Sequence, residues 1–305
     1  MKVFVAGATG AIGLPLVRAL CTLGHDVIGM TRSKRGIDRL REVGAEVSST
    51  NAFDLRAVRS AIEAASPDVV IDQLTSLPAN PADILKSIPD DTRLHREGGA
   101  NLLAAARELG VGRYILQSKG FYLDARAGQL AHESAKLRYD APGAIGESAR
   151  TMGAYEDSVL SSPPLDGVVL RYGFFYGPGT WYRPGGGIAD QARRGEALIV
   201  GEGNAVWSFV HIDDAVAATV ASLTAEPGVY NIVDDNPLLV ADCLLAFARW
   251  VDAPEPTRVS VEDALKVAGA EAVYFHTGLT GAANSRAKAQ LGFRPRPLLW
   301  KPHLG

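Results

Sequence analysis

Apolar residues are arranged along the chain in two alternating patterns. Short continuous runs, typical of buried strands, are followed by stretches in which apolar residues recur every three or four positions, as in amphipathic helices. Strands are predicted at 1–6, 26–31, 45–48, 67–72, 112–118 and 167–172, helices at 14–20, 35–43, 54–65, 92–109 and 147–161, and a loop at 73–91. This alternation predicts βαβ units and hence an α/β protein with a parallel sheet.

The first strand runs directly into a glycine turn. Gly7, Gly10 and Gly13 form a G-x-x-G-x-x-G string between the strand and the first helix. In this context Gly7 permits a tight turn, Gly10 lets the backbone approach a pyrophosphate, and Gly13 lets the helix pack against the strand. Because free amides at a helix start favour an anion, we predict a dinucleotide site that includes Thr9 and Ile12. A glycine turn without a ligand is the alternative.

The residues after the second strand bear on the choice of coenzyme. Folds that select NAD usually place an acidic residue there to hold the ribose hydroxyls. Here the segment reads Thr31-Arg32-Ser33-Lys34-Arg35. Arg32 follows the strand immediately and would attract a 2′-phosphate, which favours NADP (NADPH) over NAD. Lys34 and Arg35 are better explained as the exposed start of a helix.

Two further segments are expected beside the coenzyme. Asp54 opens the third helix, where its carboxylate can cap the first-turn amides and can also lie beside the adenine, together with Leu55. Leu74 follows the fourth strand, at the edge where ligands of open α/β sheets bind. We therefore include all three in the predicted coenzyme site.

Composition narrows the class of protein without identifying a reaction. The 305 residues suffice for a large α/β domain with a smaller lobe, and the net charge of −3 indicates neither a nucleic-acid nor a membrane partner. Cys21 and Cys243 show no disulfide framework and no metal-ligand spacing, and no signal peptide is visible. We expect a cytoplasmic protein without a metal site that acts on a small molecule, and a homodimer is possible.

The character of the chain changes after residue 173. The segment 173–187 is rich in glycine, proline and aromatic residues, among them Tyr176 and Trp181. Such a loop can line an apolar substrate pocket or can simply cover the core. We predict a dinucleotide-binding domain over residues 1–173 and a substrate lobe mainly over 174–305, with some of its segments returning to the sheet.

Several strings occur in an order that characterises one family. They are Gly7 to Gly13, Arg107-Glu108-Leu109-Gly110-Val111, Leu170-Arg171, Tyr176-Gly177-Pro178-Gly179, Phe209-Val210-His211-Ile212-Asp213-Asp214 and Tyr230-Asn231-Ile232. Over residues 1 to about 234 the chain resembles the NAD(P)-dependent epimerase/dehydratase branch of the extended short-chain dehydrogenase/reductase superfamily. The resemblance implies a doubly wound parallel sheet of the Rossmann type with a smaller C-terminal substrate lobe.

The catalytic residues of that family are only partly present. Its members use a Ser or Thr after the fifth strand and a Tyr-x-x-x-Lys pair on the next helix. Ser118 matches the first element, but no Tyr-x-x-x-Lys occurs in the chain. Alignment of the helix on Glu156 puts Ser148 and Met152 at the Tyr and Lys positions, and neither does that acid–base work near neutral pH. The resemblance therefore points to the atypical members.

Other side chains could supply the missing proton. Tyr122 and Lys119 follow the strand that carries Ser118, and a nearby ammonium would lower the pKa of Tyr122. Lys119 could instead contact a phosphate or point to solvent.

One departure from the family bears on the substrate. Trp207 stands where members that act on nucleotide sugars usually carry an Arg that grips the diphosphate. Together with the aromatic segment 173–187, it suggests a less charged, aromatic or polycyclic substrate.

These observations lead to one functional hypothesis and two alternatives. We expect an atypical NADP-dependent oxidoreductase that transfers hydride to or from a small organic carbonyl or alcohol, with Ser118 holding the oxygen and Tyr122 or a water supplying the proton. The first alternative is an epimerase or dehydratase that recycles its cofactor. The second is a non-catalytic NADP-binding sensor or scaffold.

Overall fold

The computed structural model describes residues 1–126 and 128–301. Its strands are β1 (Lys2–Ala6), β2 (Asp26–Met30), β3 (Glu46–Ser48), β4 (Val69–Asp72), β5 (Arg113–Lys119), β6 (Asp166–Tyr172), β7 (Phe174–Tyr176), β8 (Leu198–Val200), β9 (Val206–Trp207), β10 (Phe209–His211), β11 (Gly228–Ile232), β12 (Leu238–Leu239) and β13 (Thr257–Val259). Its helices are α1 (Gly13–Thr22), α2 (Lys34–Glu42), α3 (Leu55–Ala65), α4 (Ile84–Arg93), α5 (Ala100–Glu108), α6 (Gly143–Leu160), α7 (Gly187–Arg193), α8 (Ile212–Ala221), α9 (Val240–Trp250), α10 (Val261–Thr277) and α11 (Ser285–Leu291). Within these two ranges, no helix has the length and apolar character needed to cross a membrane.

Seven strands form one parallel sheet in the order β11-β6-β5-β4-β1-β2-β3. The chain runs outward from β1 through β2 to β3 and then crosses back to β4, so the strand order reverses between β1 and β4. All four residues of β4 are buried, as expected for a central strand with a continuous apolar run. Because a reversal of strand order opens a crevice at the carboxyl ends, this topology predicts a ligand cleft there.

Helices cover both faces of the main sheet. Successive strand residues point to opposite faces, so Phe4 and Val70 belong to one apolar core, whereas Val3 and Ile71 belong to the other. Helices α3, α5 and α6 contribute to the first core, and α1 and α8 contribute to the second. This doubly wound α/β arrangement confirms the predicted fold class.

The C-terminal part of the chain is divided between the sheet and a smaller layer. Strand β11 pairs with β6 at the sheet edge, and α8 packs against α1, although both lie beyond residue 173. The pairs β7–β10, β9–β12 and β8–β13 form small separate sheets. An aromatic core that includes Phe209, Phe247 and Trp300 packs in this region.

The segment 73–91 differs from the predicted loop. After a 3-10 turn, Pro81–Asp83, helix α4 begins at Ile84, and a π-helical turn, Leu94–Gly99, joins it to α5. Pro89 weakens the helical signal because it lacks an amide donor. Packing of α4 against α6 outweighs that local preference. Asp91 therefore lies on a helix.

Two other boundaries differ from the sequence-based expectation. Helix α6 begins at Gly143 rather than at 147. The apolar pattern also predicts a helix near 260–268, and the observed α10 extends beyond it to Thr277. Gly269 interrupts α10 with a φ of +80°, a conformation that glycine adopts without strain. The helical pattern therefore breaks at Gly269 although the chain resumes a helix beyond it.

A buried ion pair joins β6 to α6. The Arg171 guanidinium donates to both carboxylate oxygens of Glu156, and its Nε lies 2.9 Å from Oε1. Its Nη1 donates to the carbonyls of Glu133 and Ala135, and the Ser118 hydroxyl donates to the same carboxylate. The network therefore connects β5, β6 and α6 to the irregular segment that follows β5.

Loss of this buried pair should destabilise the fold strongly. Arg171→Met leaves Glu156 buried without its ionic partner, and we expect the free energy of unfolding to fall by about 3–5 kcal/mol. Arg171→Met/Glu156→Leu should recover part of that loss, because neither charge remains. Urea denaturation measures both effects.

The matched control is Arg59→Met, which breaks exposed pairs with Glu63 and Glu108 and should leave the urea midpoint almost unchanged. Equal destabilisation by Arg171→Met and Arg59→Met would contradict the structural importance of the buried pair.

Candidate active site

A cleft of about 540 Å³ lies at the carboxyl ends of β1 to β4. Its walls come from the glycine turn, from residues 30–33, 50–53 and 73–75, and from Leu94 of the π-helical turn. These segments follow the four strands on either side of the reversal in strand order. The cleft therefore occupies the position that the sheet topology predicts.

The glycine turn is held in place by two very close backbone contacts. A Cβ on Gly7, whose φ is +71°, would lie 2.2 Å from the carbonyl oxygen of Gln73, and a Cβ on Gly13 would lie 2.1 Å from that of Gly7. No side chain fits at either position. A Cβ on Gly10 would meet only the Gly7 oxygen, at 3.3 Å, and Gly10 lines the cleft. The backbone at Gly10 is therefore open to a ligand.

The predicted coenzyme residues separate into two groups. The residues that line the cleft are Gly7, Thr9, Gly10, Arg32 and Leu74, whereas Ile12, Gly13, Asp54 and Leu55 do not line it. Ile12 and Gly13 are buried behind the turn, and Leu55 is 47% exposed at the start of α3. The Asp54 carboxylate caps α3 by accepting from the Ala57 amide at 3.1 Å. Residues 50–53, which directly precede Asp54, line the cleft instead.

Arg32 stands at the exposed mouth of the cleft. Ser33, beside it, caps α2 by accepting from the Gly36 amide at 3.0 Å. Lys34 and Arg35 are exposed in the first turn of α2 and do not line the cleft. Among the described lining residues there is no carboxylate, so the local charge is positive.

Ser118 does not have the contacts expected of a substrate-binding serine. Its side chain is buried, and its hydroxyl donates to the Glu156 carboxylate, which the Arg171 guanidinium neutralises. The predicted role of Ser118 in holding a substrate oxygen therefore finds no support in its contacts, because its proton is already donated within a structural network.

Lys119, the next residue, belongs to a different cluster of polar side chains. Its Nζ donates to Oδ2 of Asp91 at 2.9 Å and to Oγ of Ser148 at 2.7 Å. Nε2 of His95 lies 3.4 Å from the same Asp91 oxygen, and Oδ1 of Asp91 accepts from the Ser76 amide at 2.8 Å. We call Asp91, His95, Lys119 and Ser148 the Lys119 cluster. Ser76 directly follows the cleft residue 75, so the cluster adjoins the cleft.

Asp91 keeps its negative charge in this cluster despite being buried. Burial alone would raise its pKa, but the Lys119 ammonium, the contact with His95 and the Ser76 amide together lower the pKa of Asp91 far below its usual value. The carboxylate therefore holds Lys119 through an ion pair.

Tyr122 lies near Lys119 but is not activated by it. The centroid of its ring is 5.9 Å from the Lys119 Nζ. Burial and the Asp91 carboxylate raise the pKa of the Tyr122 hydroxyl, because both disfavour the phenolate. The expected lowering of the Tyr122 pKa is therefore wrong.

The three aromatic residues predicted to contact substrate lie in different environments. Tyr176 is fully buried, and Trp207 is 6% exposed with its indole N–H donating to the Phe275 carbonyl at 2.8 Å. Both belong to the aromatic core of the C-terminal part, so neither presents a substrate surface. Trp181 is partly exposed, and its N–H donates to the Ala79 carbonyl at 3.2 Å. It joins the aromatic loop to the segment after β4.

Sequence reasoning missed the contribution of Asp91, His95 and Ser148 to this site. Asp91 and His95 are four residues apart, the spacing of neighbours on a helix, but the signal was hidden because the helix was expected to begin at residue 92. Ser148 was aligned with the family tyrosine, and its contact with Lys119 could not be read from local sequence.

Comparisons with known proteins place the chain in a family. The sequence of residues 3–233 matches that of the NAD dependent epimerase/dehydratase family. The chain is 39% identical over 307 residues to a 3-diazoavenalumate denitrifying reductase of Streptomyces sp, covering 100% of this chain and 99% of the relative. It is 26% identical over 270 residues to 2-alkyl-3-oxoalkanoate reductase of Stenotrophomonas maltophilia, covering 83% and 77% of the two chains.

Solved structures share the fold at low sequence identity. UDP-glucose 4-epimerase of Thermotoga maritima, with UDP-glucose, superposes with a TM-score of 0.75 at 21% identity, covering 99% of this chain and 96% of that chain. The dTDP-glucose 4,6-dehydratase of Streptomyces venezuelae, with NAD bound, gives 0.76 at 18% identity, covering 98% and 93%. The chain belongs to the NAD dependent epimerase/dehydratase family and is an NAD(P)-dependent oxidoreductase of that family.

Proposed function

We propose that this protein is an NADPH-dependent reductase, atypical for its family, that transfers hydride to a small organic electrophile. The observation that carries the proposal is the position of the Lys119 cluster beside the glycine-turn cleft. Residue 75 lines the cleft, and the amide of Ser76 binds the carboxylate that holds Lys119. A reactive centre for a substrate thus adjoins a site with the features of a dinucleotide cleft.

The residues present fit a phosphorylated dinucleotide. Gly10 leaves its backbone open at the start of α1, where amides and helix dipole favour a pyrophosphate. Arg32 offers a charge-assisted bond to a 2′-phosphate at the cleft mouth, and the carboxylate that would repel one is absent from the described lining. The coenzyme, when bound, supplies the hydride. These features support NADP rather than NAD.

A carbonyl compound is the first candidate substrate. A relative that covers most of the chain is named as an oxoalkanoate reductase, and Lys119 offers a positive charge to an oxygen. Trp207 is part of the aromatic core rather than a cationic site, which supports a substrate other than a nucleotide diphosphate.

An aromatic diazo compound is the second candidate, favoured by the whole-length relative named a 3-diazoavenalumate denitrifying reductase. When hydride adds to the ring carbon of an arenediazonium ion, the C–H bond forms, the C–N bond breaks, and dinitrogen leaves with the C–N electron pair. This reaction consumes no proton. It therefore suits a chain without the Tyr-x-x-x-Lys pair.

Turnover distinguishes these proposals from the alternatives. The purified protein is mixed with NADPH and either para-nitrobenzaldehyde or benzenediazonium tetrafluoroborate, and NADPH absorbance and products are followed against a reaction without protein. We expect one molecule of nitrobenzyl alcohol or of benzene for each NADPH oxidised. NADPH binding without oxidation by either compound would contradict the reductase proposal and favour an epimerase or a sensor.

The proposed role of Arg32 predicts a change in coenzyme preference. Arg32→Ala should weaken NADPH binding roughly 10- to 100-fold, the range expected for loss of a charge-assisted hydrogen bond, and should change NADH binding little. Fluorescence titration with both coenzymes measures the preference. Lys34→Ala, which removes a neighbouring exposed charge outside the cleft, is the control. Equal weakening of NADPH and NADH in Arg32→Ala would exclude the 2′-phosphate contact.

The proposed pyrophosphate contact predicts a loss of binding at Gly10. The Gly10→Val side chain would extend into the cleft, so we expect no detectable NADPH binding together with a near-normal melting temperature. Gly112→Ala, where a Cβ makes only an ordinary contact of 3.5 Å with the Asp68 oxygen, should bind NADPH normally. Tight binding by folded Gly10→Val would rule out the cleft as the pyrophosphate site.

A further inference from the structure

The Lys119 ammonium has a hydrogen-bond donor that the structure does not use. An ammonium has three N–H groups, and Asp91 and Ser148 accept two of them. In residues 1–126 and 128–301 no further acceptor bonds to Nζ. The Lys119 side chain is 16% exposed, whereas that of Asp91 is 3% exposed. Lys119 is therefore the member of the cluster that a substrate can reach.

We propose that Lys119 is the catalytic residue that hydrogen-bonds to the substrate oxygen and gives it a proton, and that Asp91 and Ser148 position the ammonium. This inference rests on the proposed reductase function and identifies the group that replaces the missing Tyr-x-x-x-Lys pair. Hydride brings the electron pair of the new C–H bond to the carbonyl carbon. The C=O π pair moves to the oxygen, which takes a proton from Nζ, and water then reprotonates the neutral amine.

The neighbouring polar side chains are less suited to this step. Ser118 donates its proton to Glu156 within the Arg171 network. Tyr122 is buried, and the Asp91 carboxylate opposes its ionisation. A preorganised cation next to the developing negative charge stabilises it without reorganisation, and Lys119 is the cation at the carboxyl end of β5.

The partners of Lys119 come from elements that hold it rigidly. Asp91 lies on α4 and also binds the Ser76 amide of the segment after β4. Ser148 is buried in the first turns of α6, at the position where the family carries its tyrosine. Two such anchors limit the rotamers of a long side chain, so the third N–H is held in one region of space.

His95 distinguishes the cluster from a purely structural ion pair. It is buried with its Nε2 3.4 Å from Oδ2 of Asp91, and neither ring nitrogen makes a well-aligned hydrogen bond in the part of the chain that the structure describes. It lies on the π-helical turn, and such turns occur frequently at functional sites. A buried polar ring without a well-aligned partner calls for a structural or functional explanation, and a group bound at this cluster is the explanation that fits the proposal.

Kinetics on two substrates separate proton donation from hydride transfer. Lys119→Met should lower kcat for para-nitrobenzaldehyde roughly 100-fold or more, because the oxygen loses its proton donor. Reduction of benzenediazonium should change only a few-fold, because no oxygen is protonated. Lys119→Arg keeps the positive charge beside the oxygen but not an acidic proton, so it should restore only a small part of the aldehyde kcat, and NADPH affinity by fluorescence should be unchanged in both variants. An equal loss on both substrates in Lys119→Met would overturn the proposal.

Ser148→Ala tests positioning, with Ser158→Ala on the same helix as its control, since the exposed Ser158 hydroxyl donates to the helix carbonyl of Ala154. We expect Ser148→Ala to lower kcat for the aldehyde more than it raises KM, and Ser158→Ala to change neither. A wild-type kcat in Ser148→Ala would remove Ser148 from the positioning role.

A binding measurement tests Lys119 even if neither compound is turned over. Para-nitrophenol is titrated into the protein with saturating NADP⁺ at a pH below the pKa of the free phenol. An ammonium donor stabilises the phenolate, so its absorption band should grow with the wild-type protein and with Lys119→Arg, and should not grow with Lys119→Met. Equal bands for wild type and Lys119→Met, or no wild-type band, would overturn the role of Lys119. Failure of turnover alone would count against the reductase function and not against this contact.

Discussion

The close approach of three backbone segments, which two missing Cβ atoms allow, is the constraint on which the ligand cleft depends. Gly7 lies against the carbonyl of Gln73 after β4, and Gly13 at the start of α1 lies against Gly7. A side chain at either position would push β4 or α1 away from the turn. These contacts fix the start of α1 beside the carboxyl ends of β1 and β4. The other walls of the cleft are the segments that follow β2, β3 and β4, together with Leu94.

Two ion pairs at the carboxyl ends of β5 and β6 show how similar charges serve different purposes. Arg171 uses its guanidinium on Glu156 and two carbonyls, and Glu156 also accepts from Ser118. The Arg171 side chain is 6% exposed, so a substrate does not reach that network. Lys119 has a compact ammonium that bonds to two protein groups within residues 1–126 and 128–301 and is 16% exposed, so its pair with Asp91 keeps a donor for another molecule. Ser118 and Lys119 are neighbours on β5. Ser118 bonds within the buried Arg171 network, whereas Lys119 takes part in the proposed chemistry.

The position of Ser148 on α6 links this arrangement to the family. The helix and its packing on the sheet are retained, but the hydroxyl at the tyrosine position is an alcohol too weakly acidic to act alone near neutral pH. It contacts Lys119 instead. In the proposed reductase, the proton donor is Lys119 at the end of β5 rather than a tyrosine on α6. A substrate whose reduction consumes no proton can accept the hydride without a proton from Lys119.

Local sequence by itself determined much of the architecture. The alternation of strands and helices, the glycine turn, the exposed basic residues after β2 and the missing Tyr-x-x-x-Lys pair are all contained in short strings, because strand and helix periodicity and turn chemistry act over a few residues. One exception is α4, where Pro89 concealed a helix that packing against α6 stabilises.

Only the tertiary structure decided which polar groups meet. Asp91, Lys119 and Ser148 come from three elements, and Lys119 is 28 and 29 residues from its two partners. Likewise, the Ser118 hydroxyl donates to Glu156, and Tyr176 and Trp207 are buried in the aromatic core. The physical reason is that burial and ion pairing depend on distances between elements that are far apart in the chain, and no local pattern of residues encodes those distances.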